Sequence, residues 1–185
     1  LKVRLYRPLR GTPLLVTVRR EPDGKWSVSF ACDLGAAPVP VDPVTMVGID
    51  LGLKSLVTTS DGEVFENERF AARAAAKLAR AQRIHARRKK GSRSRERARI
   101  QVAKAHRHVS NQRLDHARKV ATALVSRFDV VAHEDLRIAN MNRGMFSKGI
   151  NDAGWGILLH AIACKAESAG KRVVAVDPRA GIVRL

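Results

Sequence analysis

Cysteine is nearly absent: Cys32 and Cys164 are the only two in 185 residues. They stand far apart and form no Cys-x-x-Cys motif, so this stretch encodes no zinc ribbon. Nothing in the sequence calls for a disulfide, which fits a reducing cytoplasm. Long apolar runs are missing too. No segment approaches the ~18 consecutive apolar residues of a membrane-spanning helix, and no signal peptide is visible. Aromatic residues make up only 4% of the chain, and no basic helix carries the aromatic or leucine-rich face of a membrane-surface helix. Acidic residues are outnumbered, 17 against 35 basic, for a formal charge of +18. The chain opens on Leu1 rather than Met and is expected to be a piece of something longer.

What remains is apolar enough for a core, at 45%, so wholesale disorder is excluded. The length predicts one domain with a small appendage. Arginine supplies 24 of the 35 basic residues. Its planar guanidinium pairs bidentately with phosphate oxygens, so the bias points to a nucleic-acid partner.

Residues 1–32 read as β-structure. Val3 and Leu5 alternate with Lys2 and Arg4, and Leu14, Val16 and Val18 share a face. Pro22-Asp23-Gly24 marks a turn, and Trp26, Val28, Phe30 and Cys32 line the following strand. These strands suit a small open sheet or part of a barrel. Pro38, Pro40 and Pro43 stiffen a linker over residues 35–43, where a domain boundary is expected. Strands are predicted over Val44–Asp50, Leu53–Thr59 and Val64–Asn67, with a hairpin turn at residues 60–63.

Residues 68–120 hold 18 Lys or Arg against three acids, Glu68, Glu96 and Asp115. Phe70, Ala74, Leu78 and Ala81 recur at helical spacing, residues 89–92 break the pattern, and a second helix is predicted from Ser94 to Phe128. The product is a basic helical hairpin. Its candidate phosphate contacts are Arg80, Arg83, Arg87, Arg88, Lys89, Lys90, Arg93, Arg95, Arg97, Arg99, Lys104 and Arg107. Few aromatics lie among them, which favours phosphate contact over base stacking. A strand follows over residues 129–136, then a loop over residues 137–150. Asp152 is expected to cap a helix striped by Trp155, Leu158, Leu159, Ile162 and Ala166. Gly170 ends that helix, and a last strand runs to Asp177 before Pro178.

Two apolar runs end at a carboxylate: Met46-Val47-Gly48-Ile49-Asp50-Leu51-Gly52, and residues 129–134 ending in Glu134. If those strands are parallel neighbours, both acids reach one sheet edge. Hard divalent cations prefer such oxygens, and metal pairs held this way hydrolyse phosphodiesters. A lone Asp after an apolar strand is more often a turn or cap residue, so Asp50 gains weight only beside Glu134 and the arginine-rich hairpin. Two acids are too few for a metal pair. Asp177 is a weak third candidate, and His133 should face away from Glu134.

The order of elements predicts an α/β fold. Residues 47–54 (Val-Gly-Ile-Asp-Leu-Gly-Leu-Lys) resemble the first catalytic strand of the TnpB family, transposon-encoded proteins related to type V CRISPR nucleases. Val130-Val131-Ala132-His133-Glu134-Asp135-Leu136, with Ile138 and Met141, is similar to the second, and Trp155 through Pro178 to the helix and strand that come next. The resemblance implies an RNase H-like, RuvC-like mixed sheet over residues 44–185 with a helical insertion at 68–128. It makes residues 1–43 the end of a wedge-like β-barrel plus linker. It implies RNA-guided, Mg2+- or Mn2+-dependent DNA cleavage in the cytoplasm, at the nucleoid. DNA and guide RNA would be the partners, with no membrane or small-molecule substrate. Asp50 and Glu134 match two catalytic, metal-binding acids.

The family's four-cysteine zinc site, third catalytic Asp and amino-terminal recognition segment are not within these 185 residues. The chain as it stands is therefore expected to be inactive. A catalytically dead nucleic-acid-binding remnant is the alternative. Gly-Ile-Asp-Leu-Gly also resembles the first phosphate loop of actin-like ATPases and sugar kinases, but the second loop and the adenosine motif of that class are not found.

Overall fold

The structure is a computed structural model and describes Leu5, residues 8–136 and residues 147–177. The expected strand around Val3, the loop positions Asn140, Asn142 and Gly144, the motif positions Ile138 and Met141, and Pro178 lie outside the described residues. The chain divides into two units: Leu1–Ala37 with Ala75–His108, and Pro38–Ala74 with Val109–Leu185. At the coarse level it is a mixed α/β fold. No described helix is long and apolar enough to cross a membrane.

In the first unit, β1 (Thr12–Arg20) and β2 (Trp26–Asp33) form an antiparallel two-stranded sheet. The expected Pro22-Asp23-Gly24 turn joins them: Glu21 N–H donates to Lys25 O at 2.7 Å and Gly24 N–H to Glu21 O at 2.9 Å. Gly24 takes φ +84°, a left-handed conformation that favours glycine. β1 is exposed along its whole length. The helices that also belong to this unit are the outer parts of α1 (Phe70–Arg87) and α2 (Arg93–Arg127). Between them Ser92 closes the turn, its Oγ accepting from Arg95 N–H at 3.1 Å. The Arg95 guanidinium reaches back to Arg88 O at 2.9 Å and His85 O at 3.4 Å. Helix ends leave carbonyls unpaired at the negative end of the dipole, and a guanidinium satisfies both needs.

The second unit is built on a five-stranded sheet in the order β5-β4-β3-β6-β7. The strands are β3 (Met46–Leu51), β4 (Ser55–Thr59), β5 (Val64–Glu66), β6 (Val130–Glu134) and β7 (Arg172–Val176). β3–β4 and β4–β5 are antiparallel, while β3–β6 and β6–β7 are parallel. One face carries Val47, Ile49, Leu51, Val57 and Val131, all buried. It packs with Ala117, Ala121 and Leu124 of α2 and with a second apolar stripe, Trp155, Leu158, Ile162 and Ala166. That stripe lies on α4 (Trp155–Ser168), and Leu159 beside it is only partly buried.

Two expectations about the helices are corrected. The stretch 137–150 is not all loop, because α3 (Ser147–Ala153) begins within it. Asp152 does not cap the helix that follows it: the N-cap of α4 is Gly154, at φ 71° and without a side-chain bond. Asp152 caps α1 instead, accepting from Ala71 N–H at 2.8 Å and Ala72 N–H at 3.1 Å, and from the Arg113 guanidinium of α2 at 2.8 Å. A cap 80 residues away in sequence leaves no local signature. Burial pushes this carboxyl up, but Arg113 and the two amides outweigh it and hold it below its ordinary value.

β3 begins at Met46 rather than Val44, because Asp129 takes the preceding donors. Its Oδ2 accepts from Val44 N–H at 3.1 Å, Thr45 N–H at 3.0 Å and Thr45 Oγ1 at 2.9 Å. Thr45 O accepts in return from Asp129 N–H and Val130 N–H at 2.9 and 3.0 Å. Those backbone bonds from Thr45 and Val44, then the Thr45 hydroxyl and Lys171, pull the Asp129 carboxyl down to about 2 from 3.8. A lowered folded pKa gives stability that is complete above the unfolded value and is lost as pH falls toward the folded one. Acid unfolding should therefore gain a component between roughly pH 4 and pH 2 that Asp129→Asn removes, read by circular dichroism across that window.

Candidate functional site

Side chains alternate along a strand. With Val47, Ile49 and Leu51 turned into the core, Gly48 and Asp50 must take the other face. On β6, Val131 is buried, so Ala132 and Glu134 take that same outer face. The parallel register matches Gly48 with Ala132 and Ile49 with His133. One further step brings Asp50 and Glu134 level at the carboxyl edge of both strands. The two acids line one open groove of about 620 Å³, with Thr58, Ser60 and Val176 around them. Both acids are exposed.

The small residues matter here. Gly48 and Ala132 leave the floor beside the acids low. Ser60 ties the β4 end to β3, donating from its N–H to Gly48 O at 2.8 Å and accepting from Gly48 N–H at 3.1 Å on Oγ. On the antiparallel side, Thr58 stands opposite Asp50.

The groove offers hard oxygen donors, carboxylates and hydroxyls, which suit Mg2+ or Mn2+ rather than a soft metal. His133 sets its Nδ1 2.8 Å from the Glu134 backbone O and is among the residues that line the groove. Val176 stands level with Glu134, and Asp177 comes one residue later. Among the described residues no group of three His, Cys, Asp or Glu is arranged to hold a metal. Cys32 and Cys164 are both free thiols.

The twelve basic candidates divide in two. Arg80, Arg83 and Arg87 on α1, Arg88, Lys89 and Lys90 in the turn, and Arg93, Arg97 and Lys104 on α2 are exposed. Arg95 and Arg107 are half-buried and Arg99 is exposed, but all three bond to other groups of the first unit. Arg95 closes the helical turn described above. Arg99 clasps Glu96 through two nitrogens, at 2.9 and 2.8 Å, and donates to Pro22 O at 3.0 Å. Arg107 Nη1 donates to Asp23 Oδ1 at 3.0 Å, and Nη2 lies 2.7 Å from Oδ2 as an ion pair without hydrogen-bond alignment. The Asp23 side chain is 1% exposed and that of Arg107 31%. A run of charges in sequence does not reveal which cations meet a buried acid, and the turn motif around Asp23 concealed that acid.

Known proteins resemble this chain. A family model, OrfB_IS605, described as "Probable transposase", matches residues 16–145. A Streptomyces pristinaespiralis protein named "Putative RNA-guided DNA endonuclease" is 38% identical over 180 residues, 96% of this chain and 44% of that protein. "Putative RNA-guided DNA endonuclease InsQ" of Escherichia coli K12 is 30% identical over 195 residues, 96% of this chain and 48% of that protein. The chain thus spans just under half the length of these relatives. Its fold is also similar to a chain in a cryo-EM structure of a Cas12f1-sgRNA-target DNA complex, with TM-score 0.58, 17% identity, and coverage of 88% of this chain and 35% of that one.

Removing Arg107 leaves a buried carboxylate without its counter-charge. Breaking a fully buried pair costs about 3–5 kcal/mol, and the partial exposure of Arg107 lowers this to roughly 2–3 kcal/mol for Arg107→Ala. Arg97→Ala should stay within about 0.5 kcal/mol of the parent. Urea unfolding of both variants checks the contrast.

Proposed function

This chain belongs to the OrfB_IS605 family of probable transposases, the TnpB family whose motifs it carries, and from that membership we propose that it is the central part of an RNA-guided, metal-dependent DNA endonuclease. The observation that carries the reading is the parallel pairing of β3 with β6, which sets Asp50 beside Glu134. In this reading the second unit is an RNase H-like, RuvC-like nuclease core. The sheet order β5-β4-β3-β6-β7, with three antiparallel strands followed by parallel ones, supports that assignment. Residues 1–43 form the end of a wedge-like barrel with its linker, residues 44–185 the nuclease domain, and residues 68–128 its helical insertion.

Asp50 and Glu134 would hold the metal through their hard, anionic carboxylate oxygens. When bound, Mg2+ or Mn2+ lowers the pKa of an attacking water and neutralises charge on the scissile phosphate and its leaving oxygen. The acids position that chemistry at the sheet edge, over the low floor of Gly48 and Ala132, where a sugar-phosphate strand can approach. The family resemblance implies a third acid that would complete the set. Arg80, Arg83, Arg87, Arg88, Lys89, Lys90, Arg93, Arg97 and Lys104 contact phosphates of guide RNA or target DNA. The protein works in the cytoplasm, on the nucleoid.

A second reading has one observation in its favour: no set of three metal-ligating side chains forms among the described residues. This chain by itself would then bind nucleic acid without cutting it. Extending it with the coding sequence downstream of Leu185 separates the two readings, because only the first restores cleavage.

In such an extended protein, Asp50→Ala should abolish Mg2+-dependent nicking yet hold guide affinity within about twofold, since it removes a metal ligand and no phosphate contact. Loss of RNA binding in that variant would make Asp50 structural. Binding should also weaken steeply with salt, with a log–log slope of about −0.9 per phosphate neutralised on duplex DNA. Arg97→Ala should lower that slope by about one. Filter binding between 50 and 200 mM salt tests both; a flat response removes the basic surface from the mechanism.

A further inference from the structure

Among the described residues of the first unit several large apolar side chains are exposed, Leu14, Leu15, Val16 and Val18 of β1 among them, and the one aromatic in that set is Trp26. Trp26 is 64% exposed, whereas the other tryptophan, Trp155, is 5% exposed in the core. Trp26 opens β2 directly after the turn and pairs in register with Arg20. The Arg20 guanidinium lies 6.0 Å from its ring centre. Side chains alternate along a strand, so Arg20 shares the face of Trp26, whereas Arg19 belongs to the other face and lies 3.8 Å from Glu21. The turn beside it is fixed to α2, through Arg99 on Pro22 O and Arg107 on Asp23. Arg20 also contributes, after Arg99, to holding the Glu96 carboxyl of α2 below its ordinary value. An exposed indole and the Arg20 guanidinium therefore share one corner of one unit.

We propose that Trp26 is a stacking platform for an unpaired base of the bound RNA, with Arg20 and its neighbours taking the adjoining phosphates. This rests on the nucleic-acid-binding reading above and adds a contact of a different kind to it. Arginines alone grip a phosphate chain without regard to whether its bases are paired. An indole face adds energy only for a base whose own face is free, as in single strands. Base pairs in a duplex are stacked on both sides and offer no such face. In the proposed function the guide is the strand that carries unpaired bases, while the target arrives as a duplex. The turn that precedes Trp26 is held by the Asp23–Arg107 and Pro22–Arg99 contacts, so the backbone that presents the ring is already ordered. The low aromatic content of the helical hairpin pointed away from base stacking. The fold answers that by bringing in an aromatic from the β-hairpin, some 70 residues earlier in sequence.

Intrinsic fluorescence tests this on the 185-residue chain. Trp155 is buried, so iodide-quenchable emission belongs to Trp26. The probes are single-stranded oligouridylate, single-stranded oligodeoxythymidylate and a blunt DNA duplex of equal length. The RNA strand is expected to quench Trp26 and block iodide, while the duplex binds without doing so. Trp26→Ala should weaken RNA binding by about 5- to 100-fold and leave duplex affinity and the salt slope unchanged, with Trp26→Phe recovering most of the loss. Salt-dependent RNA binding with no quenching, and with Trp26→Ala equal to the parent, overturns the platform and leaves the basic surface standing. Quenching by the DNA strand alone, or equally by the duplex, overturns the assignment to unpaired RNA. Absence of salt-dependent binding to every probe overturns the nucleic-acid reading and the platform with it.

Discussion

The register between β3 and β6 is the constraint on which the candidate active site depends. It is set at the end of the strands remote from the acids. There Asp129 and Thr45 bind each other reciprocally, carboxylate to amide and hydroxyl in one direction, carbonyl to amides in the other. Lys171 adds its charge, 3.2 Å from the same carboxylate. From Thr45 to Asp50 is five residues, and from Asp129 to Glu134 is also five. Two strands clasped level at one end, with equal rise per residue, stay level at the other, about 16 Å away. A slip of one residue would turn Glu134 toward the helices and put His133 in its place, since strand side chains alternate.

The core was legible because periodicity reports burial. The runs ending at Asp50 and Glu134, the hairpin at residues 60–63, and the stripe Trp155, Leu158, Ile162 and Ala166 all follow from alternation or helical spacing. What could not be read was which distant polar partners would meet. Asp152 looked like a local cap because it precedes a helix, yet its acceptors serve the first turn of α1. Asp129 gave no sign that it would withdraw Val44 and Thr45 from the sheet. Asp23 looked like an ordinary turn residue, and its burial under Arg107 is a tertiary event. Each miss is a carboxylate whose partner lies far away in sequence, where spacing rules carry no information.

The same distinction sorts the arginines. A high charge density on a helical hairpin invites the view that every cation faces solvent or phosphate. Three of the twelve instead close turns and neutralise acids within the first unit. Their work differs in kind from that of exposed Arg97 or Lys104: it fixes the shape of the surface on which the others are displayed. Composition measures the total charge, and only the fold divides it between scaffold and ligand.

Asp152 has an architectural consequence. Both helices of the long excursion between β5 and β6 close on this one carboxylate, α1 through its first amides and α2 through Arg113. The excursion thus has a root, and the inner part of α2 also packs on the sheet, at Ala117, Ala121 and Leu124. Whole turns inserted or deleted farther out, in matched lengths on the two helices, leave the root bonds and the β3–β6 register as they are. Helices anchored this way can change in length while the groove of Asp50 and Glu134 stays unaltered, so variation in one part of the chain is uncoupled from the preservation of another.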